Sequence, residues 1–376
     1  MARTIDPSSP KDFREDVALL SLLIRGEDEA FAAPLVADKE RVRRFARFVG
    51  AHGLRTFVHA ELAGSPVRET LPRWWIDQLA QTHATRATAQ ERLVREMDDL
   101  AARLDQARHE FILLKGPYSA TRFYGALDRR EFADLDVMIQ RKDLAPVERL
   151  LLNAGYTRKS GVIVNSALTS RFTHALDFVK EGAAVDLHWV LSANAAHALD
   201  YDAIWRDRQR YTVRGREYAV LSDEYEVVFS LISIFKDVER GAARLKALVD
   251  LHCILLTLDG RIDWQRFFEN RRREKLHRVS VSVLTLFLQL FACADRLPHV
   301  AAAVARERLE GTMADPADLL TAPRGALRNK LWAADYYECS RLQLFLWWLV
   351  SLPFRVAVHS PTARRARWLY SGDTVR

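Results

Sequence analysis

Three aspartates in two short segments have the residue type and spacing for chemistry on a phosphate-bearing substrate. Asp134 and Asp136 are separated by one residue in the largely apolar segment 134–139, and about fifty residues further on Asp186 and His188 are separated in the same way. Successive side chains of a β-strand point to opposite faces, so each pair is expected to share one face. If the two strands are neighbours, Asp186 completes a cluster of three carboxylates.

Such a cluster predicts a divalent metal site. Carboxylates that lie close together repel and raise one another's pKa, so they need a cation at neutral pH. Oxygen ligands of this kind favour Mg²⁺ or Mn²⁺, which leave coordination positions for water and phosphates. This chemistry suits two-metal phosphoryl or nucleotidyl transfer, with a nucleoside triphosphate as substrate. The residues expected to bind metal and to act in catalysis are Asp134, Asp136 and Asp186.

A turn upstream of these aspartates is suited to binding phosphate. Residues 111–114 (FILL) predict a strand and residues 118–124 a short helix. The glycine between them permits a tight turn that directs backbone N–H groups of the helix towards a phosphate. Arg130 could clamp the phosphate or could instead pair with one of the aspartates. The residues expected to bind the nucleotide are Lys115, Gly116, Ser119 and Arg130.

Two histidines accompany the carboxylates in the sequence. His174 and His188 could help to remove the proton from an acceptor hydroxyl. Alternatively, they orient the carboxylates by hydrogen bonds without touching the substrate.

Hydrophobic periodicity divides the chain into three stretches. Apolar residues recur at helical spacing in residues 1–108 and again in residues 222–376. Residues 109–221 instead contain short apolar runs of strand length that are broken by turns. We therefore expect an α/β (α+β) fold in which a small mixed-sheet core lies between N-terminal and C-terminal helical regions.

Two features of the predicted core bear on the site. Residues 172–179 and 184–190 predict a hairpin whose turn contains Gly182, so Asp186 lies on its second strand. Residues 217–221 predict a further strand at the edge of the sheet.

The motifs of this core resemble a known family. The string LLKG, a short helix ending in FYG, an arginine four residues before D-x-D, and the later DLHW are similar to the uncharacterised nucleotidyltransferase family of the DNA polymerase β superfamily. The resemblance is close over residues 110–189 and weaker over residues 244–250, where the family has a helical segment ending in an aspartate. It implies a minimal nucleotidyltransferase sheet flanked by helices, with metal-binding Asp134 and Asp136 and a third carboxylate at Asp186.

The resulting expectation is metal-dependent transfer of a nucleoside monophosphate to a hydroxyl or phosphate of an unidentified acceptor. The acceptor could be a small molecule, a peptide or a protein. Two alternatives remain open, namely phosphoryl transfer at the same metal site and a nucleotide-binding regulatory module without turnover. The sequence has no GxGxxG, GxxxxGK[ST] or GxSxG motif, so it gives no support to dinucleotide, P-loop or serine-hydrolase sites.

The charge of the chain adds little to this choice. A net charge of +7 and a pI near 9.4 suit a polyanionic ligand. Nucleic acid is not favoured, because the sequence contains no RNP-like string and no helix-turn-helix signal.

Cysteine usage and the first residues predict a cytoplasmic protein. The three cysteines lie far apart, without the spacing of a disulfide framework or a zinc site, which fits a reducing compartment. The opening segment MARTIDPSSPKDFRED lacks the apolar run of a signal peptide.

The longest apolar run, residues 342–350, is too short to span a membrane. We expect it to form a buried helix. Membrane contact through this segment and the arginines that follow it, Arg364, Arg365 and Arg367, is the less favoured alternative.

Overall fold

One mixed sheet, with helices before and after it along the chain, makes up the fold of this protein. The structure is a computed structural model, and it describes residues 10–159, 173–239, 244–307, 309 and 333–359. The sheet and its helices confirm the α+β class that the periodicity predicts.

Among the described residues, the helices lie mainly where apolar residues recur every three or four positions. The α-helices are α1 (Pro10–Ile24), α2 (Asp28–Ala37), α3 (Lys39–Ala51), α4 (Arg55–Ala63), α5 (Arg73–Gln106), α6 (Pro117–Tyr124), α7 (Leu144–Asn153), α8 (Tyr201–Arg206), α9 (Asp223–Glu239), α10 (Leu245–Leu258), α11 (Trp264–Arg273), α12 (His277–Phe291), α13 (Pro298–Arg306) and α14 (Arg341–His359). The strands are β1 (Phe111–Leu113), β2 (Leu135–Ile139), β3 (Thr157–Arg158), β4 (Ala175–Lys180), β5 (Ala183–His188), β6 (Gln209–Val213) and β7 (Arg216–Val220).

The seven strands form a single sheet in the order β3-β4-β5-β2-β1-β7-β6. Strand β2 pairs in parallel with β5, and β1 in parallel with β7, whereas the other neighbours are antiparallel. The parallel pairing of β2 with β5 makes the two strands that carry the candidate aspartates direct neighbours.

The hairpin predicted for residues 172–190 is present. The strand predicted for the edge of the sheet lies inside it instead. Strands β4 and β5 pair across Glu181 and Gly182, and Gly182 has a φ of +73° that favours glycine. The first residue of the predicted hairpin, residue 172, lies outside the described residues.

Strand β7 covers residues 217–220 of the predicted 217–221 but lies inside the sheet, because β6 pairs along its outer side. Strand β6 has no counterpart among the strands that the sequence predicts. Its segment QRYTV carries polar residues on the exposed face of an edge strand, which hides the apolar signal.

Two compact units divide the chain. The first combines Met1–Thr88, Ala120–Glu131 and Asp223–Tyr337, and the second combines Ala89–Ser119, Phe132–Ser222 and Glu338–Arg376. The whole sheet belongs to the second unit. The sequence boundaries at 1–108, 109–221 and 222–376 remain a prediction.

Within the sheet unit, the second half of α5 is tied to the sheet by a shared carboxylate. Glu96 accepts hydrogen bonds from the Tyr156 hydroxyl at 2.7 Å and from Lys180 Nζ at 2.9 Å. Because Lys180 ends β4, this contact fixes one side of the hairpin that carries Asp186.

The cysteines behave as their spacing predicts. Cys253, Cys293 and Cys339 are all free thiols, and the first two are buried.

Helix α14 corrects the prediction of a buried helix for residues 342–350. Among these residues only Leu344 is fully buried, at 3% exposure. The exposed large apolar residues are Leu342, Phe345, Leu346, Leu349 and Val350. Across the described part of the chain, no helix combines the length and the apolar character needed to cross a bilayer. The predicted basic segment with Arg364, Arg365 and Arg367 lies outside the described residues.

The other unit contains a buried ion pair. Arg130, 6% exposed, donates from its side chain to both carboxylate oxygens of Asp250, at 2.7 and 2.8 Å. The Tyr124 hydroxyl also donates to Asp250, and Lys246 Nζ lies 3.3 Å from it. Burial alone would raise the pKa of Asp250, but the two cations outweigh it and hold that pKa well below its usual range.

We expect Asp250→Asn to lower the free energy of unfolding by about 3 kcal/mol, because it removes the negative charge that the buried Arg130 guanidinium binds with two hydrogen bonds. A depressed pKa makes the contribution of Asp250 fully present above about pH 4 and lost as the pH falls below that value. In urea unfolding, we therefore expect the variant to have a much lower free energy of unfolding than the wild type at pH 7 and a smaller difference at pH 3.

The matched control is Asp99→Asn, which breaks the exposed helical pair with Arg103 and costs about 0.5 kcal/mol or less. Equal losses for the two variants at pH 7 would contradict a structural role for the buried pair.

Candidate active site

The pairing of β2 with β5 brings two of the candidate aspartates side by side. Asp136 is the direct partner of Asp186 in the parallel register. Directly paired residues of neighbouring strands project to the same face of a sheet. Leu135 and Val137 are buried on the other face, as the alternation of β2 predicts.

A third carboxylate continues this row on the next strand. Asp177 of β4 is the antiparallel partner of Asp186 in the hairpin. Asp177, Asp186 and Asp136 therefore lie across three adjacent strands on one face of the sheet.

His188 joins the row two residues beyond Asp186. Its Nε2 lies 3.2 Å from Oδ1 of Asp136, and the histidine is 6% exposed. One ligand atom from each of Asp136, Asp186 and His188 lies within 4.8 Å of the others. These three residues could hold one metal ion.

This set differs from the predicted one at a single position. Asp134 precedes β2 and lies close enough to raise the pKa of Asp186, but it stands outside the group at ligand distance. His188, considered as an orienting or proton-accepting residue, lies inside that group. His174 is further out, with its ring 5.8 Å from the ring of His188.

The electrostatics of the row favour a bound cation. Burial, followed by the charges of Asp136, Asp177 and Asp134, raises the pKa of Asp186 to about 8, while Lys159 opposes the shift. The carboxyl group of Asp186 is therefore largely protonated at neutral pH unless a positive charge is added. Two carboxylates and an imidazole are a donor set that suits a divalent ion such as Mn²⁺, and the carboxylates alone suit Mg²⁺.

The predicted phosphate turn lies beside the backbone of Asp134. Gly116 has a φ of +75°, and a Cβ added to it would come 3.4 Å from the backbone oxygen of Asp134. The next residue, Pro117, begins α6, and proline is well suited to the first position of a helix. The positive φ of the turn is the feature that favours a glycine here, since a Cβ at this position would make only an ordinary contact with Asp134.

The other predicted nucleotide-binding residues have different surroundings. Lys115 is half-buried directly before the turn, and Ser119 is buried in the first turn of α6. Arg130 belongs to the other unit, where its guanidinium pairs with Asp250. Nucleotide binding by these residues remains a prediction.

Two charged residues near the site escaped the sequence analysis. Asp177 could have been found by counting back from the hairpin turn, because a two-residue turn at 181–182 sets 177 opposite 186. Lys159, whose backbone N–H donates to the Asp177 carbonyl at 2.9 Å, has no comparable signal, since it follows the two-residue strand β3.

We expect Asp186→Asn to stabilise the protein in the presence of a chelator at pH 8. Folding raises the pKa of Asp186, so its carboxyl costs nothing below about pH 4 and costs up to about 1.4 kcal/mol per pH unit as the pH rises towards 8. Thermal unfolding of the wild type and the variant at pH 5 and pH 8 measures this difference, which is larger at pH 8.

Asp207→Asn is the control, because Asp207 is exposed and pairs only with the neighbouring Arg206 among the contacts described. Excess Mg²⁺ is expected to raise the melting temperature of the wild type more than that of Asp186→Asn. If the melting temperatures of the two variants depend on pH in the same way, the charge of Asp186 does not destabilise the folded protein, which would contradict this prediction.

The comparisons with known proteins agree with this geometry. Among curated proteins, none matches the chain. A family model described as an uncharacterised nucleotidyltransferase matches residues 38–292, which include the sheet, the Gly116 turn and the Arg130–Asp250 pair. The chain therefore belongs to this uncharacterised nucleotidyltransferase family.

Proposed function

We propose that the protein moves a nucleoside monophosphate from a nucleoside triphosphate to a hydroxyl or phosphate group of an acceptor. The acceptor is a small molecule, a peptide or a protein. The observation that carries the proposal is the direct pairing of Asp136 with Asp186, with His188 at ligand distance and the Gly116 turn nearby.

In this proposal, Asp136, Asp186 and His188 hold divalent metal, and Asp134, which lies outside this group, would have to move closer to become a further ligand. The bound metal supplies positive charge that neutralises the triphosphate and the leaving pyrophosphate. Mg²⁺ and Mn²⁺ both fit the carboxylates, and His188 adds a preference for Mn²⁺ over Mg²⁺. Asp177 and Lys159 set the charge around the ligands without holding the metal.

The chain's own residues position the substrates. The Gly116 turn and the start of α6 direct N–H groups at the triphosphate, and Lys115 adds a positive charge there. Asp186 accepts the proton of the acceptor hydroxyl as its oxygen bonds to the α-phosphorus. The bond from that phosphorus to the pyrophosphate oxygen then breaks, and pyrophosphate leaves.

Labelled nucleotides test the reaction type. The protein is incubated with Mg²⁺ or Mn²⁺, a cell extract as the source of acceptor, and triphosphates labelled at the α- or the γ-phosphate. We expect label from the α-position to enter product and pyrophosphate to be released. Asp136→Asn should lower this transfer at least about a hundredfold, because it removes a metal ligand.

Asp202→Asn provides a matched control. Asp200 and Asp202 form a second D-x-D, in which Asp200 caps α8 by accepting from the Ala203 N–H at 2.9 Å. This variant should keep full activity. Transfer of the γ-label would identify a phosphotransferase, and nucleotide binding without any product would identify a regulatory module; either result overturns the proposal.

A glycine pair tests the phosphate turn. Gly116 and Gly125 have nearly the same φ, +75° and +78°, so alanine at either position adds similar backbone strain of about 1 kcal/mol. Only Gly116 lies against Asp134, since nothing lies within 4 Å of a Cβ at Gly125. We expect Gly116→Ala to weaken triphosphate binding, measured by calorimetry, at least about tenfold. Equal affinities for Gly116→Ala and Gly125→Ala would exclude the turn from the nucleotide site.

A further inference from the structure

Helix α14 carries an unusual concentration of exposed apolar side chains. Among the described residues, nine large hydrophobic side chains are exposed, and five of them lie between Leu342 and Val350. The other four, Val36, Trp74, Leu152 and Leu256, are scattered over four helices. Single exposed apolar residues are ordinary on a protein surface, whereas a contiguous patch marks a place of interaction.

The five residues form one face of the helix. At about 100° per residue, positions 342, 345, 346, 349 and 350 fall within an arc of about 140°. Leu344 and Ser351, which are 3% and 0% exposed, lie on the opposite side. Trp347 and Trp348 are partly buried and lie between this arc and the buried side of the helix. The helix therefore turns its apolar face outwards and buries the other face.

The start of this helix is well defined. The Ser340 hydroxyl accepts from the Gln343 N–H, and the Gln343 side chain accepts from the Ser340 N–H, both at 3.2 Å. This reciprocal pair is a capping box, which fixes the first turn of the helix. The apolar face begins within that turn.

The charge of the segment indicates what covers this face. Residues 341–376 contain six arginines, and Asp373 is the only acidic residue. An exposed apolar helical face in a segment with such an excess of positive charge suits the interface of an anionic bilayer.

We propose that α14 binds the surface of membranes that contain anionic phospholipids. The apolar face defined by Leu342, Phe345, Leu346, Leu349 and Val350 enters the interface, and the net positive charge of residues 341–376 attracts anionic lipid. This contact is independent of the proposed transfer reaction, so either can fail without the other.

Vesicle flotation of the full chain tests the proposal. We expect the protein to float with vesicles of about one part phosphatidylglycerol to two parts phosphatidylcholine, and to bind pure phosphatidylcholine more weakly. Because the attraction is partly electrostatic, binding to the anionic vesicles should weaken as salt is raised. Failure to bind anionic vesicles at low salt would overturn the proposal.

Two double variants test whether vesicle binding depends on this face or on exposed leucines anywhere on the protein. Leu346→Gln with Leu349→Gln removes two side chains that are 49% and 58% exposed. Leu152→Gln with Leu256→Gln makes the same change at sites that are 44% and 46% exposed on other helices. We expect the first pair to lower vesicle affinity at least about tenfold and the second to leave it unchanged.

Light scattering and circular dichroism of each variant complete the test. Unchanged helix content and unchanged mass in the Leu346/Leu349 variant support loss of lipid contact. If that variant instead changes a dimer into a monomer and the wild type does not float, the face joins two copies of the chain and the proposal is wrong. Equal flotation of both double variants also contradicts it.

Discussion

The central constraint on this site is that a parallel pair of strands holds two carboxylates side by side. Asp136 and Asp186 face the same way because β2 and β5 pair in register, and Asp177 extends the row on β4. The backbone hydrogen bonds of the sheet prevent these side chains from moving apart. Their repulsion, together with burial, raises the pKa of Asp186 to about 8. A divalent cation relieves this repulsion and at the same time attracts phosphate.

The surrounding residues fit this constraint. Gly116, with its positive φ, turns the chain beside the backbone of Asp134, and α6 begins with its positive partial charge at the next residue. His188 contacts Asp136 and fixes its orientation. In the other unit, Arg130 and Asp250 offset one another's charge and need no added ion. The two carboxylate environments thus differ, since Asp250 has its cations built in whereas Asp186 has mainly carboxylate neighbours.

Much of the site could be predicted from the sequence because strand alternation is a local property. The spacing of Asp134, Asp136 and Asp186 predicts their faces, and Gly116 predicts a turn. Other features depend on contacts between distant segments. The register that puts His188 at ligand distance, the partner of Arg130, and the outward face of α14 are set by packing that no short pattern encodes. The polar strand β6 escaped because edge strands carry little apolar signal.

The most direct test of the account is the position of a bound metal ion. Crystals grown with Mn²⁺ and a triphosphate analogue that resists cleavage can be measured at a wavelength where manganese scatters anomalously. The account predicts an anomalous peak between the carboxylates of Asp136 and Asp186, in contact with the phosphates of the analogue. A bound analogue with no peak there, or with manganese held by other residues, would contradict it.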